Sequence, residues 1–236
     1  MKQEIYLDNA ATTPVIPEVV EQVVKCLTED FGNPSSLHRL GVNSEKRLKE
    51  QRRIIASLLR VDENDIIFTS GGTESNNLAI FGAVRAKKRY GNHLITTAIE
   101  HPSILNIFDY LKEEGWRVTY IPVDKYGVIS LDEFEEALTE DTILVSIMDV
   151  NNEIGSIQPV ESIKRLINQK APQALFHVDA VQSFGRLDIR PIEWDVDLLS
   201  ISGHKIHGPK GVGALYIKKG VSIMPLQWGG GQERGI

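Results

Sequence analysis

Short apolar runs alternate with segments of helical periodicity along most of this 236-residue chain. The runs predict strands at 66–69, 94–97, 118–121, 143–148, 176–179, 198–202 and 212–217. Between them, apolar residues at helical spacing predict helices at 75–85, 103–113, 130–138 and 160–168. Near-continuous apolar strands spaced by helices are typical of a mostly parallel α/β sheet with helices on both faces.

Two local signals mark helix starts: Ser130 with Glu133 three residues later predicts a capping box, and Pro159 suits a first turn.

The N-terminal region does not show this alternation of strands and helices. It reads as a short strand at 5–7, a polar turn at 8–14 and an irregular loop at 31–36 between two helices. The apolar faces of those helices carry Val20, Val23, Val24 and Leu27 in the first, and Leu48, Ile55, Leu58 and Leu59 in the second.

Composition narrows the class of protein. The chain is 42% apolar and 25% charged, which is ordinary for a soluble globular protein of one large or two small domains. A net charge of −6 without runs of like charge argues against nucleic acid binding. We expect no membrane span, no signal region at Met1–Glu4 and a cytoplasmic location. A single cysteine, Cys26, excludes an internal disulfide and a multi-cysteine zinc site.

The Gly71-Gly72-Thr73 turn lies between a predicted strand and a predicted helix. Free backbone N–H groups at a helix start, glycines that allow close approach and the Thr73 hydroxyl together suit a phosphate. A plain strand–helix turn is the alternative.

Asp179 follows a predicted strand, so its carboxylate emerges at the strand's carboxyl end, where ligands gather in open α/β sheets. A carboxylate there can keep a pyridine nitrogen protonated, and Gln182 is placed to reach a phenolic oxygen. The alternative for Asp179 is a helix N-cap.

Lys205 follows another apolar strand, in the run Ser202-Gly203-His204-Lys205. Partial desolvation favours the neutral amine, which can bind an aldehyde cofactor as a Schiff base. Ser202 and His204 can donate to a phosphate. A solvated surface lysine is the alternative.

Two further polar residues follow predicted strands. His101 can stack on a flat ring and carry protons near neutral pH, although a structural histidine is the alternative. Asn152 can donate to a ring or substrate, or belong to an Asx turn. Cys26, at helical spacing from Val19 and Val23, is expected to be a semi-buried packing residue rather than a nucleophile.

An aldehyde-binding lysine, a pyridine-binding aspartate and a phosphate turn together describe a site for pyridoxal 5'-phosphate (PLP).

Seven motifs, in order along nearly the whole chain, resemble those of the NifS/IscS-like cysteine desulfurases. They begin at Leu7, Gly32, Thr69, Glu100, Asn151, His177 and Ser202, and read LDNAATT, GNPSS, TSGGTESNN, EH, NNEIG, HVDAVQ and SGHK. The resemblance implies fold type I of the PLP enzymes, in the class V aminotransferase group.

The resemblance also implies site roles. Lys205 would carry the cofactor and move the substrate Cα proton, and His101 would stack on the ring. Asp179 would pair with the pyridine nitrogen and Gln182 with the ring hydroxyl oxygen. The remaining expected contacts are Asn152 with cofactor and substrate, and Gly72, Thr73, Ser202 and His204 with the phosphate. Gly203 is expected to be a further cofactor-binding residue.

The family reaction takes sulfur from L-cysteine, releases L-alanine and leaves a persulfide on an enzyme cysteine. The sulfur then passes to an iron–sulfur scaffold protein or a tRNA-thiolation enzyme, and a homodimer is expected. No direct nucleic acid, membrane or metal contact is expected.

The sequence departs from the family pattern at its end. Family members continue with an Arg-x-Gly-Thr segment and a small domain that carries the nucleophilic cysteine, and Cys26 matches no such position. We therefore expect residues 16–236 to form the PLP-binding large domain and residues 1–15 the segment that normally joins the small domain. The expected protein is the N-terminal portion of a cysteine desulfurase, inactive by itself. Another class V enzyme, such as a selenocysteine lyase or cysteine lyase, and a non-catalytic PLP-binding fragment are the alternatives.

Overall fold

The computed structural model describes residues 5–236, which fold around one twisted sheet. Within that range the sheet has seven strands in the order β1-β7-β6-β5-β4-β2-β3, and β7 alone runs in the direction opposite to the other six. The strands are β1 (Ile66–Thr69), β2 (His93–Thr97), β3 (Arg117–Ile121), β4 (Thr142–Met148), β5 (Leu175–Asp179), β6 (Leu198–Ser202) and β7 (Gly213–Ile217).

Helices cover both faces of this sheet. They are α1 (Pro17–Thr28), α2 (Arg39–Leu59), α3 (Gly72–Lys87), α4 (Pro102–Glu113), α5 (Leu131–Ala137) and α6 (Val160–Lys170). The core divides accordingly. One cluster places Phe134 of α5 and Ile163 of α6 against one face, and the other places Ile80 of α3 and Phe108 of α4 against the opposite face. The predicted mostly parallel α/β architecture is therefore confirmed.

Local sequence signals act where they were predicted. The Ser130 hydroxyl accepts from the Glu133 N–H at 3.3 Å and caps α5. Pro159 immediately precedes α6. At Gly213, an added Cβ would lie 2.7 Å from the Gly71 Cα, so a glycine here lets β7 pass closely against the turn that leads into α3.

Two expectations about the N-terminal half are wrong. Residues 5–7 form no strand, since no neighbouring strand is placed to pair with them; the Tyr6 hydroxyl instead donates to the Asp8 and Thr12 carbonyls. Cys26 is exposed rather than semi-buried, because no residue of α1 is buried by the rest of the described chain. The expectation about a signal region falls on residues 1–4, outside the described residues.

No helix among the described residues is both long enough and apolar enough to cross a membrane.

Candidate active site

A pocket lies at the edge of the sheet where the adjacent parallel strands β2, β4, β5 and β6 end. In open α/β sheets ligands bind outside the carboxyl ends of the strands, so this is where a ligand site is expected. Of the ten residues named from the sequence, the pocket wall contains nine and lacks Gly203. The nine are Gly72, Thr73, His101, Asn152, Asp179, Gln182, Ser202, His204 and Lys205. Their individual roles stay predictions.

The phosphate-like end of the pocket is the start of α3. This helix begins at Gly72, with Gly71 as its N-cap at φ 152°, a conformation that favours glycine. First-turn N–H groups have no intrahelical partner, and within residues 5–236 no side-chain hydrogen bond caps this helix start. A Cβ at Gly72 would lie 2.8 Å from a Val181 methyl carbon, so only glycine leaves this wall undisturbed. Buried Ser202 and partly buried His204 face the same end.

Asp179, the last residue of β5, places a buried carboxylate in the pocket wall. Its Oδ1 accepts from the Val181 N–H at 3.0 Å and its Oδ2 from the Asn76 Nδ2 at 2.8 Å. Burial raises the pKa of this carboxyl, while those two hydrogen bonds and the nearby His101 and Lys205 side chains oppose the rise. Each oxygen retains a further lone pair, so the carboxylate can accept one more donor from a ligand.

Lys205 ends a single 3-10 turn, Gly203–Lys205, that directly follows β6. Its Nζ donates to the carbonyls of Ala10 and Ala11, the latter at 2.9 Å. Burial lowers the pKa of this amine, and the nearby Arg186 lowers it further. A less basic amine is more often neutral, as nucleophilic attack on an aldehyde requires.

The segment 9–13 crosses the same end of the site and is bonded to the loop that carries Lys205. The Thr13 N–H donates to the His204 carbonyl at 2.9 Å, and the Thr12 hydroxyl lies 3.1 Å from the His204 Nδ1. Burial lowers the pKa of His204, and the positive charge of Lys205 lowers it further. This end of the pocket is therefore completed by an N-terminal segment that lies about 190 residues before the Lys205 loop in the sequence.

Gln182 is held between this segment and Arg186. Its Nε2 donates to the Ala10 carbonyl at 2.9 Å, and its Oε1 accepts from Arg186 Nη1 at 2.9 Å. A second nitrogen of Arg186 donates to the carbonyls of Asn9 and Lys205. The Gln182 amide therefore has protein partners on both of its polar atoms, including the donor that was predicted to reach a ring oxygen.

His101 caps α4 through its own ring. The Ser103 N–H donates to the His101 Nδ1 at 3.1 Å, and the Ser103 hydroxyl lies 2.8 Å from the same nitrogen. That hydroxyl also lies 2.9 Å from the Asn76 Nδ2, which donates to Asp179 as well. Sequence reasoning missed Asn76 and Ser103, which line the pocket; Asn76 stands in the TSGGTESNN motif, the only signal that marked it.

Glu100 is a third residue that sequence reasoning did not assign to the site. Its side chain is 4% exposed, and its Oε1 accepts from the Thr97 hydroxyl at 2.5 Å and the Met148 N–H at 2.9 Å. Burial raises the pKa of this carboxyl to about 8, and the nearby Asp179 adds to the rise. Among residues 5–236, its Oε2 has no hydrogen-bond partner. A buried carboxyl of raised pKa therefore stands behind the pocket.

Three other residues named from the sequence contact the pocket less closely or lie outside it. Asn152 lines the pocket, but its Nδ2 donates to the Glu153 Oε1 at 2.7 Å; the Asx turn in this loop is made by Asn151. Gly203 lies behind the wall, where an added Cβ would lie 2.8 Å from a Val212 methyl carbon. Cys26 lines a different groove, between α1 and α2. In the described part of the chain, no cluster of three or more His, Cys, Asp or Glu side chains is placed to hold a metal ion.

These residues fit PLP on their own chemistry. The buried Asp179 carboxylate keeps a free lone pair for a pyridinium N–H, Lys205 supplies an amine of lowered basicity, and the uncapped start of α3 supplies N–H donors for a phosphate.

Comparison with known proteins identifies the family. The model of the class-V aminotransferases matches residues 5–235, and the chain belongs to that family. The family members it resembles are PLP-dependent. The chain is 48% identical over 235 residues to the cysteine desulfurase IscS of Clostridium botulinum, covering all of this chain and 59% of that protein.

Solved structures agree. A structure titled "NIFS-like protein" superposes with a TM-score of 0.96 at 44% identity, over 99% of this chain and 64% of the other. A structure titled "SspA in complex with cysteine" gives a TM-score of 0.93 at 42% identity, over 98% and 66%. The chain thus spans about three fifths of the length of the curated relative and two thirds or less of both solved chains.

Proposed function

We propose that this chain binds PLP at the described pocket and belongs to a cysteine desulfurase, which transfers the sulfur of L-cysteine to an enzyme thiol. The supporting observation is that one strand edge gathers a buried acceptor carboxylate, an amine of lowered pKa and an uncapped helix start. Similarity to a cysteine desulfurase and to a protein solved with cysteine supports the substrate.

In the proposed reaction the Cβ–S bond of L-cysteine breaks and a sulfur–sulfur bond forms to an enzyme thiol. The products are L-alanine and an enzyme persulfide, so no external oxidant or reductant is needed. PLP, when bound, supplies an electron sink that stabilises negative charge on the carbon bearing the amino group.

Residues of this chain would bind the cofactor and the substrate and would move the substrate proton. Lys205 would bind the cofactor through its amine and would move the proton at the substrate Cα. Asp179 accepts from the pyridine N–H, and Gln182 and His101 contact the ring. The start of α3 with Ser202 and His204 binds the phosphate, the Gly203 backbone shapes that end of the site, and Asn152 contacts the substrate.

Further parts of the proposal concern the whole protein. We propose a homodimer in the cytoplasm that passes sulfur to an iron–sulfur scaffold or a tRNA-thiolation enzyme. Residues 16–236 would be the PLP-binding domain, with residues 1–15 reaching a second domain. Size measurement by light scattering and sulfur transfer from labelled L-cysteine to each purified acceptor class test these parts separately.

The central test is covalent capture of PLP by residues 1–236. We expect the purified chain to bind PLP with a visible absorbance band, and borohydride to fix the label to the peptide containing Lys205. Lys205→Arg should abolish the label. Lys210→Arg, which changes a lysine of the neighbouring cavity, should keep it; label on Lys210 or Lys218 in the unchanged protein would refute the assignment.

A further inference from the structure

A line of hydrogen bonds joins the buried carboxylate of the pocket to the histidine at its mouth. It runs from the Asp179 Oδ2 to the Asn76 Nδ2 (2.8 Å), from there to the Ser103 Oγ (2.9 Å), and on to the His101 Nδ1 (2.8 Å). All four residues line the pocket. The bonds connect β5, α3 and the start of α4, so they tie together three elements that form different walls.

One contact fixes the donor and the acceptor in every bond of this line. The Ser103 backbone N–H lies 3.1 Å from the His101 Nδ1, and a backbone N–H can only donate a hydrogen bond. A ring nitrogen that accepts a hydrogen bond carries no proton, so the imidazole proton lies on Nε2. The Ser103 hydroxyl, 2.8 Å from Nδ1, then shares this single lone pair as a second donor.

The remaining members follow in turn. Because the Ser103 hydroxyl donates its hydrogen to the ring, its oxygen is free to accept from the Asn76 Nδ2. The second hydrogen of that amide points to the Asp179 Oδ2. The opposite amide orientation would turn an oxygen toward both the Asp179 carboxylate and the hydroxyl oxygen, which is unfavourable. The Asn76 amide therefore donates to both the Asp179 carboxylate and the Ser103 oxygen, and the Ser103 hydroxyl donates to the His101 ring.

We infer that Asn76 and Ser103 are positioning residues that hold His101 as its Nε2–H tautomer. Among residues 5–236, the His101 Nε2 has no hydrogen-bond partner, so its N–H is available to an acceptor in the pocket. Resting on the proposed function, this makes His101 a hydrogen-bond donor to the bound cofactor or substrate, and couples its orientation to the aspartate that would bind the pyridine nitrogen.

The test reads the tautomer in the protein without any ligand, so it does not depend on PLP binding or on activity. Long-range nitrogen–proton NMR of nitrogen-15-histidine protein reports which ring nitrogen of each histidine is protonated, and His101→Gln assigns the His101 signals. We expect His101 in the unchanged chain to be almost entirely Nε2–H. A predominantly Nδ1–H ring would overturn the inference.

Variants then test the line itself. Ser103→Ala removes the hydroxyl but leaves the backbone bond, so the ratio of Nε2–H to Nδ1–H should fall roughly fivefold to tenfold, the effect of one hydrogen bond. Ser103→Thr restores a hydroxyl and should restore the ratio. Asn76→Ala should lower it by a smaller factor, because the hydroxyl still reaches the ring.

Ser162→Ala is the matched control, since Ser162 is another serine in the first turn of a helix, α6. It should leave the His101 ratio unchanged. The His177 signals should be constant in all variants, which shows that the fold is retained. An equal ratio in the unchanged chain and in Ser103→Ala would refute the positioning role, whatever PLP binding shows.

Discussion

At the residue scale, Asp179 is the group on which cofactor retention should depend most. We expect Asp179→Ala to weaken PLP binding roughly 10- to 150-fold, the loss of one charge-assisted hydrogen bond of about 1.5–3 kcal/mol. Asp179→Asn keeps one carbonyl oxygen for the Val181 N–H and should bind better than the alanine variant. Absorbance titration with PLP measures the affinities.

The control for the Asp179 variants is Asp188→Ala, an exposed aspartate paired with Arg190. It should leave the affinity unchanged. Unaltered PLP affinity in Asp179→Ala would remove Asp179 from the role of pyridine partner.

Glu100 predicts a pH dependence of stability with a definite sign. Its pKa is about 8 in the folded chain against an ordinary value of 4.5, so the folded state holds a proton that the unfolded state releases between these values. The contribution of Glu100 to stability therefore falls as pH rises, by about 1.4 kcal/mol per pH unit. It is constant below pH 4.5 and again above pH 8.

Glu100→Gln imitates the neutral acid and removes this dependence. The free energy of unfolding of the variant, minus that of the unchanged chain, should rise with pH between 4.5 and 8 in urea titrations. Glu114→Gln, at the exposed end of α4, controls for the loss of a glutamate. A flat difference across this window would mean that Glu100 is ionised in the fold.

At the element scale, two buried histidines join neighbouring strands. His177 of β5 lies 2.8 Å from the Ser146 Oγ of β4 and 2.9 Å from the Ser200 Oγ of β6. His93 of β2 similarly lies between Thr142 and Thr119 of the adjacent strands. Burial lowers the pKa of His177 to about 3 and that of His93 to about 4.

These histidines should make the sheet sensitive to acid. Because the unfolded chain takes up a proton near pH 6.5 and the folded one does not until about pH 3, His177 contributes stability above pH 6.5 that is lost as pH falls. His177→Gln should therefore lose less stability than the unchanged chain on acidification, by about 1.4 kcal/mol per pH unit below the unfolded pKa.

Chemical denaturation at pH 7, 6, 5 and 4 measures that difference, with His38→Gln, at the N-cap of α2, as the control. Parallel stability curves for His177→Gln and the unchanged chain would contradict a neutral buried His177.

Elements were easier to predict than their contacts. Apolar runs gave β1 and β6 with the bounds that the structure has, because a strand buried on both faces needs consecutive apolar residues. The start of α3 was placed three residues late, at Ser75 rather than Gly72, since glycine and threonine are weak helix formers. The antiparallel course of β7 between β1 and β6 leaves no local signal in the sequence.

The contacts in the site that escaped prediction are those between residues distant in sequence. Asn76 meets Ser103 across 27 residues and Asp179 across 103, and Gln182 meets Ala10 across 172. Motifs placed Lys205, Asp179 and Gly72 at strand ends, where topology alone brings them together. Which side chain bonds to which depends on tertiary packing, and only the structure supplies it.

At the scale of the whole molecule, the lone cysteine lies outside the pocket. Cys26 is on α1 and lines the groove shared with α2, beside Val23 and Leu27, whereas Lys205 and Asp179 line the pocket at the strand ends. Desulfuration needs a thiol held in line with the departing sulfur, and such placement is worth about 7–11 kcal/mol of the barrier.

We therefore expect a polypeptide of residues 1–236 to bind L-cysteine after PLP loading, seen as a change in absorbance, without catalytic release of alanine or sulfide. Cys26→Ser should change neither the absorbance response nor the negligible turnover, because Cys26 lines the groove between α1 and α2 and not the pocket that contains Lys205. The cysteine desulfurase IscS of Clostridium botulinum, assayed beside it, is the positive control. Turnover by this polypeptide at a comparable rate, abolished by Cys26→Ser, would make Cys26 the sulfur carrier and would require α1 to move to the pocket.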